Sequence, residues 1–489
     1  MKRISKVLVA NRGEIALRII RACKELEIKS VVIFSEDDVN GIWVPRADEC
    51  YPILGNPVDA YLKYDRIIDL AKKSNCDAIH PGYGFLSESA EFAQACIDND
   101  LIFIGPKPKH IELFGDKMAS KVAMKKINVP VLEGTNSPII DIKEGKRIAL
   151  EIGYPIIIKA AFGGGGRGMR IVHFANDFSK MFESATNESI KYFGKGDVFI
   201  EKYVQNPRHI EIQVIADQYG NVVHLGERDC SIQRRHQKVI EITPSPLLND
   251  KVRQSLCDIS VNAMKELGYE SVGTVEFLVD EKDNAYFIEM NTRVQVEHPV
   301  TEIVTGVDII QRMIEIASGD KLKYKQSEIQ FRGYAIEFRI NSEDPQNNFM
   351  PTSGVVKKYL TPGGPGVRLD TSLYSGYELP TCYDSMLGKL IVWALDWKGA
   401  VQKARRALDE FHIEGFKTNI QLHREIAKDE SFKNGKFDTG YLDMNMNKFD
   451  LGAKSSIANE EEKSLELKNL IKKIKENNLV SLKNKFILY

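Results

Sequence analysis

SVGTVEFLVDEKDNAYFIEM, residues 271–290, falls into two apolar runs, Ser271 to Val279 and Ala285 to Met290, parted by Glu281-Lys282-Asp283-Asn284. Such punctuation predicts a β-hairpin. If Asp280 pairs with Ala285 across a symmetric four-residue loop, Glu276 stands directly opposite Glu289, with side-chain roots roughly 5 Å apart on one sheet face. Two like charges placed there repel, and a divalent cation that takes oxygen ligands, magnesium or manganese, would hold them together. Asn291 continues the same face, and the alternation is expected to run on through Arg293, Gln295 and Glu297. The stripe then offers metal ligands, a fixed cation, an amide and a further carboxylate, a set suited to phosphoryl transfer. For a lone acidic pair, the wet face of a surface hairpin is the plainer account. Here five polar residues from Glu289 to Glu297 share one parity and Glu276 faces the first of them, which favours the site.

The rest of the chain sets bounds on that reading. Its 489 residues leave room for about three domains, and 43% hydrophobic with 28% charged residues is ordinary for a soluble globular protein. Lysine plus arginine (67) nearly cancels aspartate plus glutamate (68), so no global field draws the chain to nucleic acid or to an anionic membrane. Seven cysteines, at 23, 50, 76, 96, 230, 257 and 382, are odd in number and contain no Cys-x-x-Cys pair, which argues against disulfides and zinc and fits the cytoplasm. The apolar stretch Val7 to Ala10 is too short for a signal sequence, and no run approaches membrane-spanning length.

Up to about residue 114, strand-like runs (Val7 to Ala10, Val31 to Phe34, Ala78 to His80, Ile102 to Ile104) alternate with helical stretches such as Glu14 to Leu26 and Tyr61 to Lys73. That rhythm predicts a doubly wound parallel sheet. A dinucleotide site would need Gly-x-Gly-x-x-Gly after the first strand, but Ala10-Asn11-Arg12-Gly13-Glu14 stands there, so an oxidoreductase reading loses its support. His80-Pro81-Gly82-Tyr83-Gly84 follows a strand end, where open α/β sheets place ligands; turn chemistry alone accounts for its glycines equally well.

Between about 131 and 204 the pattern predicts a small unit: strand Ile156 to Lys159, a glycine loop, strand Met169 to His173, a helix from about Asp177, and strand Val198 to Glu201. The loop Phe162-Gly163-Gly164-Gly165-Gly166-Arg167-Gly168 joins strand to strand, which excludes a P-loop and suggests a flap whose backbone amides close over phosphates; a flexible linker is the alternative. Lys159 would bring an ammonium to the same phosphates. Further on, the polar/apolar alternation His209 to Val214 precedes Arg228 to Lys238, a charged stretch that composition alone reads as a solvated edge. Arg339 lies among Ile336, Phe338 and Ile340 in a predicted strand, where it either snorkels to water or is paired. Beyond Asn447 the composition turns to Lys, Glu, Asn and Ser, with Leu467, Leu470, Ile471 and Ile474 at helical spacing. No period of 20 to 50 residues is evident.

Taken together, Lys159 with the Gly163 to Gly168 loop, Glu227 to Lys238, and Glu289-Met290-Asn291-Thr292-Arg293-Val294-Gln295-Val296-Glu297-His298 resemble the biotin carboxylase family of ATP-grasp enzymes, from about Ile4 to about Met446. His80 to Ser87 resembles that family's N-terminal signature. The resemblance implies an α/β (mixed α+β) chain: a Rossmann-like N-terminal domain (1–114), an ATP-grasp domain (115–330) with a small glycine-flap lid (131–204), a biotin carboxylase C-terminal domain (331–446), and a charged tail (447–489) with an amphipathic helix.

It also implies roles. Lys117, Lys159, Gly163, Gly164, Gly165, Gly166, Glu201, Lys202, Val204, His209, Gln233, His236, Glu276, Leu278 and Glu289 would bind ATP, while Glu276, Glu289 and Asn291 hold Mg²⁺ or Mn²⁺. Lys238, Arg293, Gln295 and Val296 would surround bicarbonate, with Glu297 as general base and Arg339 facing the biotin enolate. Bicarbonate and ATP would give carboxyphosphate, whose carbon dioxide passes to biotin.

Biotin attachment requires Ala-Met-Lys-Met in a hairpin, whereas Ala123-Met124-Lys125-Lys126 falls in a predicted helix. A biotin carboxyl carrier protein and a carboxyltransferase subunit on other chains are therefore expected, with this chain as a homodimer and its C-terminal helix either docking a partner or packing on its own globule. Phe162 and Ser89 depart from the family pattern. Glu241-Ile242 before Pro244, and the long tail, resemble the stand-alone biotin carboxylase subunits of pyruvate carboxylases more than those of acetyl-CoA carboxylases. Two other readings are another ATP-grasp ligase of the carbamoyl-phosphate type and a non-catalytic nucleotide-binding assembly protein.

Overall fold

Strand β1 (Lys6–Val9) is apolar on both faces because it lies at the centre of a parallel sheet covered on both sides. Its partners are β2 (Lys29–Phe34), β3 (Glu49–Pro52), β4 (Ala78–His80) and β5 (Ile102–Phe103), in the order β3-β2-β1-β4-β5. The computed structural model describes residues 3–135, 137–160, 169–193, 196–452 and 466–471. Helix Gly13–Glu25 packs Ile15, Ile19, Ile20 and Cys23 inward. Arg12, at its N-cap, forks onto the buried Asp38 with Nε and Nη2 at 2.9 and 2.7 Å, where a dinucleotide fold would carry glycine.

A second, antiparallel sheet of three strands, in the order β7-β6-β8, is formed by β6 (Ile156–Ala160), β7 (Arg170–Val172) and β8 (Val198–Lys202). Helices Ile142–Ile152 and Phe178–Phe193 accompany it, and Ile156, Ile158, Val172, Phe178 and Ile200 form its core. The Gly163 to Gly168 loop that joins β6 to β7 lies outside the described residues.

The third sheet carries the site. Its eight strands begin β13-β12-β9-β10-β11-β14 and end with Met386–Ala394 and Val367–Thr371. Here β9 is Arg208–Ala216, β10 Val222–Arg234, β11 Gln237–Thr243, β12 Ser271–Val279, β13 Ala285–Asn291 and β14 Tyr334–Asn341. Because β11 pairs with β14, the sheet runs unbroken across the boundary expected near residue 330.

Three expectations need correction. Within Arg228 to Lys238 only the turn Arg235 to Gln237 is exposed: β10 and β11 are interior strands, and Arg228, Asp229 and Ser231 are buried because their polar groups are satisfied within the sheet. In the β12–β13 hairpin, Val279 rather than Asp280 opposes Ala285; Asp280 instead accepts the backbone N–H groups of Lys282 and Asn284, tightening a five-residue loop. A register shift between Phe277 and Glu276, with Ile288 as the extra residue, then restores the pairing of Glu276 with Glu289. Finally, β13 ends at Asn291, and Glu297 is the N-cap of helix His298–Thr305, so the alternation past Asn291 is not a strand. Pro299 near that helix start fixes the break.

Ala123 to Lys126 lies in helix Lys117–Lys126, as expected. In the tail, residues 466–471 are helical with Leu467, Leu470 and Ile471 exposed, while Ile474 lies outside the described residues. All seven cysteines are free thiols, and among the described residues no helix is long and apolar enough to cross a membrane.

Candidate active site

Charged residues meet side by side across the third sheet. Glu289 pairs in register with Glu276, Glu276 with Glu211, and Glu211 with Arg228. On the far side Glu241 pairs with Glu337, and Arg339 with Lys389, which faces Asp370. Residues far apart in the chain thereby form one ionic band, and helix His298–Thr305 covers its part on β10, β11 and β14.

Lys238 is its centre. From β11 its Nζ donates to Glu211 Oε2 at 2.5 Å, Glu276 Oε1 at 3.0 Å and Glu297 Oε1 at 2.7 Å. Arg228 closes on Glu211 from the other side and donates to Gln213 at 2.8 Å and Thr301 at 3.0 Å. Arg339 donates from Nε to Glu241 at 2.5 Å and from Nη2 to Glu297 Oε2 at 2.9 Å. Burial opposes the charge of Lys238, yet Glu211, Glu276 and Glu297 hold its pKa well above the usual lysine value. Burial likewise pushes Glu297 upward, but Lys238, Arg339 and Arg228 outweigh it and keep that carboxylate ionised far below its usual range.

Glu276 is held by four donors besides its strand neighbours: Lys238, His209 Nε2 at 2.8 Å, Asn291 Nδ2 at 2.8 Å and Gln295 Nε2 at 3.2 Å. Its buried carboxyl stays low because Lys238 and His209 overcome desolvation. Arg293 reaches Asn291 Oδ1 at 2.7 Å, Gln295 Oε1 at 2.8 Å and Glu88 Oε2 at 3.1 Å. The cations that touch Glu297 and limit its basicity are therefore Lys238 and Arg339 rather than Arg293, because the chain turns after Asn291. The Val296 carbonyl accepts from Lys389 Nζ at 2.8 Å, which fixes the loop bearing Glu297.

The expected nucleotide residues lie toward the lid sheet. Lys159 Nζ sits 2.5 Å from Glu201 Oε2, and Lys121 also closes on Glu201, so the acid beside the expected adenine strand meets two lysines, whose pKa values burial lowers to about 8 and about 6. Lys117 Nζ is 3.5 Å from Glu289. Lys202 donates to the Gly153 carbonyl at 2.8 Å, and Val204 lies just past the end of β8. Leu278 opposes His209 across β12 and β9, Gln233 opposes Lys238, and His236 sits at positive φ in the tight turn joining β10 to β11.

Glu276, Glu289 and Asn291 supply hard oxygen donors on adjacent strands. The half-exposed Glu289 carboxylate is only loosely paired with Lys117 at 3.5 Å, so the three residues fit Mg²⁺ or Mn²⁺. Donor atoms of His209, Glu211 and Glu276, and of Glu211, Cys230 and Glu297, also gather within 4.8 Å. Lys238 and Arg228 hold Glu211, and Lys238 with Arg339 holds Glu297, so the charge of these two acids is already met by protein cations. Sequence reasoning passed over Glu211, Glu241, Glu88, Lys121 and Lys389. The alternation His209, Glu211, Gln213 was the signal available for the first; Glu241 and Lys389 are brought in by strand pairing, and Glu88 and Lys121 by a loop and a helix that only the tertiary fold sets beside Arg293 and Glu201.

Known proteins are similar to this chain along most of its length. Three family descriptions match in succession: "Biotin carboxylase, N-terminal domain" over residues 3–111, "Carbamoyl-phosphate synthase L chain, ATP binding domain" over 116–325 and "Biotin carboxylase C-terminal domain" over 337–444. The 2-oxoglutarate carboxylase small subunit of Hydrogenobacter thermophilus is 53% identical over 445 residues, 91% of this chain and 94% of that protein. A pyruvate carboxylase subunit of Methanothermobacter thermautotrophicus is 49% identical over 90% of this chain and 89% of its own length. The crystal structure of the Hydrogenobacter thermophilus 2-oxoglutarate carboxylase biotin carboxylase domain dimer, with MgADP, ADP and bicarbonate, superposes with a TM-score of 0.89 at 52% identity, covering 92% of this chain and 99% of that one.

Proposed function

The chain belongs to the biotin carboxylase family, and from that premise we propose how its residues carry out the ATP- and bicarbonate-dependent carboxylation of biotin. It is an ATP-dependent ligase. Lys117 and Lys159, with the amides of Gly163 to Gly166, hold the nucleotide phosphates; Glu201, Lys202, Val204, His209, Gln233, His236 and Leu278 line the rest of the nucleotide. Glu276, Glu289 and Asn291 would hold a magnesium or manganese ion, which when bound neutralises phosphate oxygens during transfer.

Bicarbonate lies against Arg293, Gln295, Val296 and Lys238, and Glu297 accepts its proton. Glu297 is a weak base while two cations grip it; an incoming anion that shares Lys238 loosens that grip and raises its basicity at the moment of need. Bicarbonate oxygen then attacks the terminal phosphate, giving carboxyphosphate and ADP. Carboxyphosphate breaks down to carbon dioxide and phosphate, phosphate takes the ureido proton of biotin, and the ring nitrogen attacks carbon dioxide. Arg339 stabilises the enolate oxygen.

The observation that carries this reading is the carboxylate of Glu297 suspended between Lys238 and Arg339, so that base, bicarbonate cation and enolate cation share one point. ADP release that requires bicarbonate and rises with free biotin is the expected result. Stimulation by ammonia without biotin would instead place the chain with carbamoyl-phosphate-type ligases. Biotin comes on a separate carrier, with the carboxyltransferase on another chain, and the similarity to 2-oxoglutarate and pyruvate carboxylase subunits favours a 2-oxo acid as final acceptor. A homodimer and a reducing, cytoplasmic setting complete the proposal; the seven free thiols fit the latter.

A further inference from the structure

Glu337 is a buried acid that the reaction above does not use. It lies on β14, fully buried, and among the described residues neither of its carboxyl oxygens meets a hydrogen-bond partner. Directly opposite on β11 is Glu241, also fully buried, whose Oε1 accepts from Arg339 Nε while its Oε2 has no partner among the described residues. Both acids share the sheet face of Arg339, under helix His298–Thr305. Directly opposed antiparallel residues have Cβ atoms about 4.5–5.5 Å apart, so two charges there, out of water, are prohibitive.

The charged groups facing the pair do not relieve it. Arg339 is committed to Glu241 and Glu297. Lys389 is committed to the Val296 carbonyl and to Glu14, which Tyr83 also engages. Lys238 is occupied by Glu211, Glu276 and Glu297. His298, from the covering helix, is kept neutral by burial and by Lys389, Arg18 and Arg368. A single proton resolves the three orphaned oxygens as far as they can be resolved: a protonated Glu337 donates its O–H to Glu241 Oε2, leaving Glu241 Oε1 for Arg339.

We propose that Glu241 and Glu337 share one proton and together form the mount that keeps Arg339 aimed at Glu297 and, in the reaction, at the biotin oxygen. The directions of titration agree: burial pushes Glu241 up to about 7 against the pull of Arg339, and burial holds Glu337 well above the ordinary range. Glu241 is thus a positioning residue. When Glu297 takes the bicarbonate proton its hold on Arg339 weakens, and the bond from Nε to Glu241 keeps the guanidinium in place while Nη2 turns to the enolate. The positioning half of this inference rests on the role proposed for Arg339; the shared proton does not.

The full-length chain tests both halves. Near neutral pH the wild type shows the infrared carbonyl band of a protonated carboxyl group, and Glu337→Gln lacks it; identical spectra overturn the shared proton. The folded pair retains a proton that the unfolded chain releases above the usual carboxylate range, so wild-type stability falls as pH rises through that window, and Glu337→Gln removes one proton from the slope. Glu241→Gln lowers biotin-dependent kcat by about 100-fold, the scale of a misplaced group, with KM for ATP unmoved; Glu337→Gln, which carries a permanent donor, restores the geometry and retains turnover. If Arg339→Gln abolishes biotin-dependent turnover and Glu241→Gln does not, the mount is wrong. If Arg339→Gln changes nothing, the role of Arg339 fails and the positioning claim falls with it.

Discussion

Arg339 on β14 donates to the carboxylate of Glu297, 42 positions earlier in the chain, at 2.9 Å. Glu297 also receives Lys238 at 2.7 Å, so one buried carboxylate unites β11, β14 and the N-terminus of helix His298–Thr305. Replacing it by glutamine keeps shape and hydrogen-bonding reach but removes the base. Glu297→Gln is expected to bind ATP as the wild type does and to lose turnover by about 100-fold or more. Equilibrium nucleotide titration beside steady-state ADP release checks this; unchanged kcat would refute the assigned role.

Lys238 compensates three buried carboxylates at once, Glu211, Glu276 and Glu297. Lys238→Met should therefore cost about 3–5 kcal/mol of stability, because it leaves like charges buried together without their cation. Denaturant unfolding of the ligand-free chain measures it. The substitution should also move those acids' titration upward, so the loss is greatest at alkaline pH and shrinks in acid.

Metal dependence separates the two acids of the hairpin. Chelation is expected to stop ATP consumption, and added magnesium or manganese to restore it. Glu289 is half exposed and loosely paired, so Glu289→Gln should spare the fold yet raise the metal concentration needed for half-maximal rate by at least about 10-fold. Glu276 also satisfies His209, Asn291 and Gln295, so Glu276→Gln should lower thermal stability as well.

His80 gives a pH prediction with a definite sign. Its ring is buried, Nδ1 accepts the Gly82 N–H at 3.0 Å, and burial with Arg18 lowers its pKa from 6.5 to about 3. Above 6.5 both folded and unfolded chains hold it neutral. As pH falls from 6.5 towards 3, the unfolded chain takes the proton and the folded one does not, so stability is lost across that window. His80→Gln, which retains an acceptor, should flatten the acid limb by about 1.4 kcal/mol per pH unit. Urea unfolding across mildly acidic pH reads the slope.

Much of the site was legible because sheet chemistry has short-range rules. Parity put Glu289 and Asn291 on one face, and turn residues between two apolar runs announced the hairpin that faces Glu276 with Glu289. The same rules misjudged the loop, since Asp280 prefers to accept amide N–H groups within the turn, and a bulge at Ile288 repaired the register. They also carried the strand too far past Asn291, where Pro299 and the helix beginning at His298 redirect the chain. The buried part of the charged run, Arg228 to Gln233, was illegible by composition, because a buried strand whose charges are paired looks from sequence like a wet one.

By itself the amino-acid sequence determined the element types, the parallel N-terminal sheet, the acidic hairpin and, through its motifs, the family. Only the tertiary structure decided which charges neutralise which: that Lys238 serves three acids, that Lys389 holds the Val296 carbonyl, and that Glu241 and Glu337 are left facing each other behind Arg339. The reason is physical. Local pattern fixes the face on which a side chain stands, whereas the energy of a buried charge is set by its nearest opposite charge, and strand pairing brings that neighbour from distant parts of the chain.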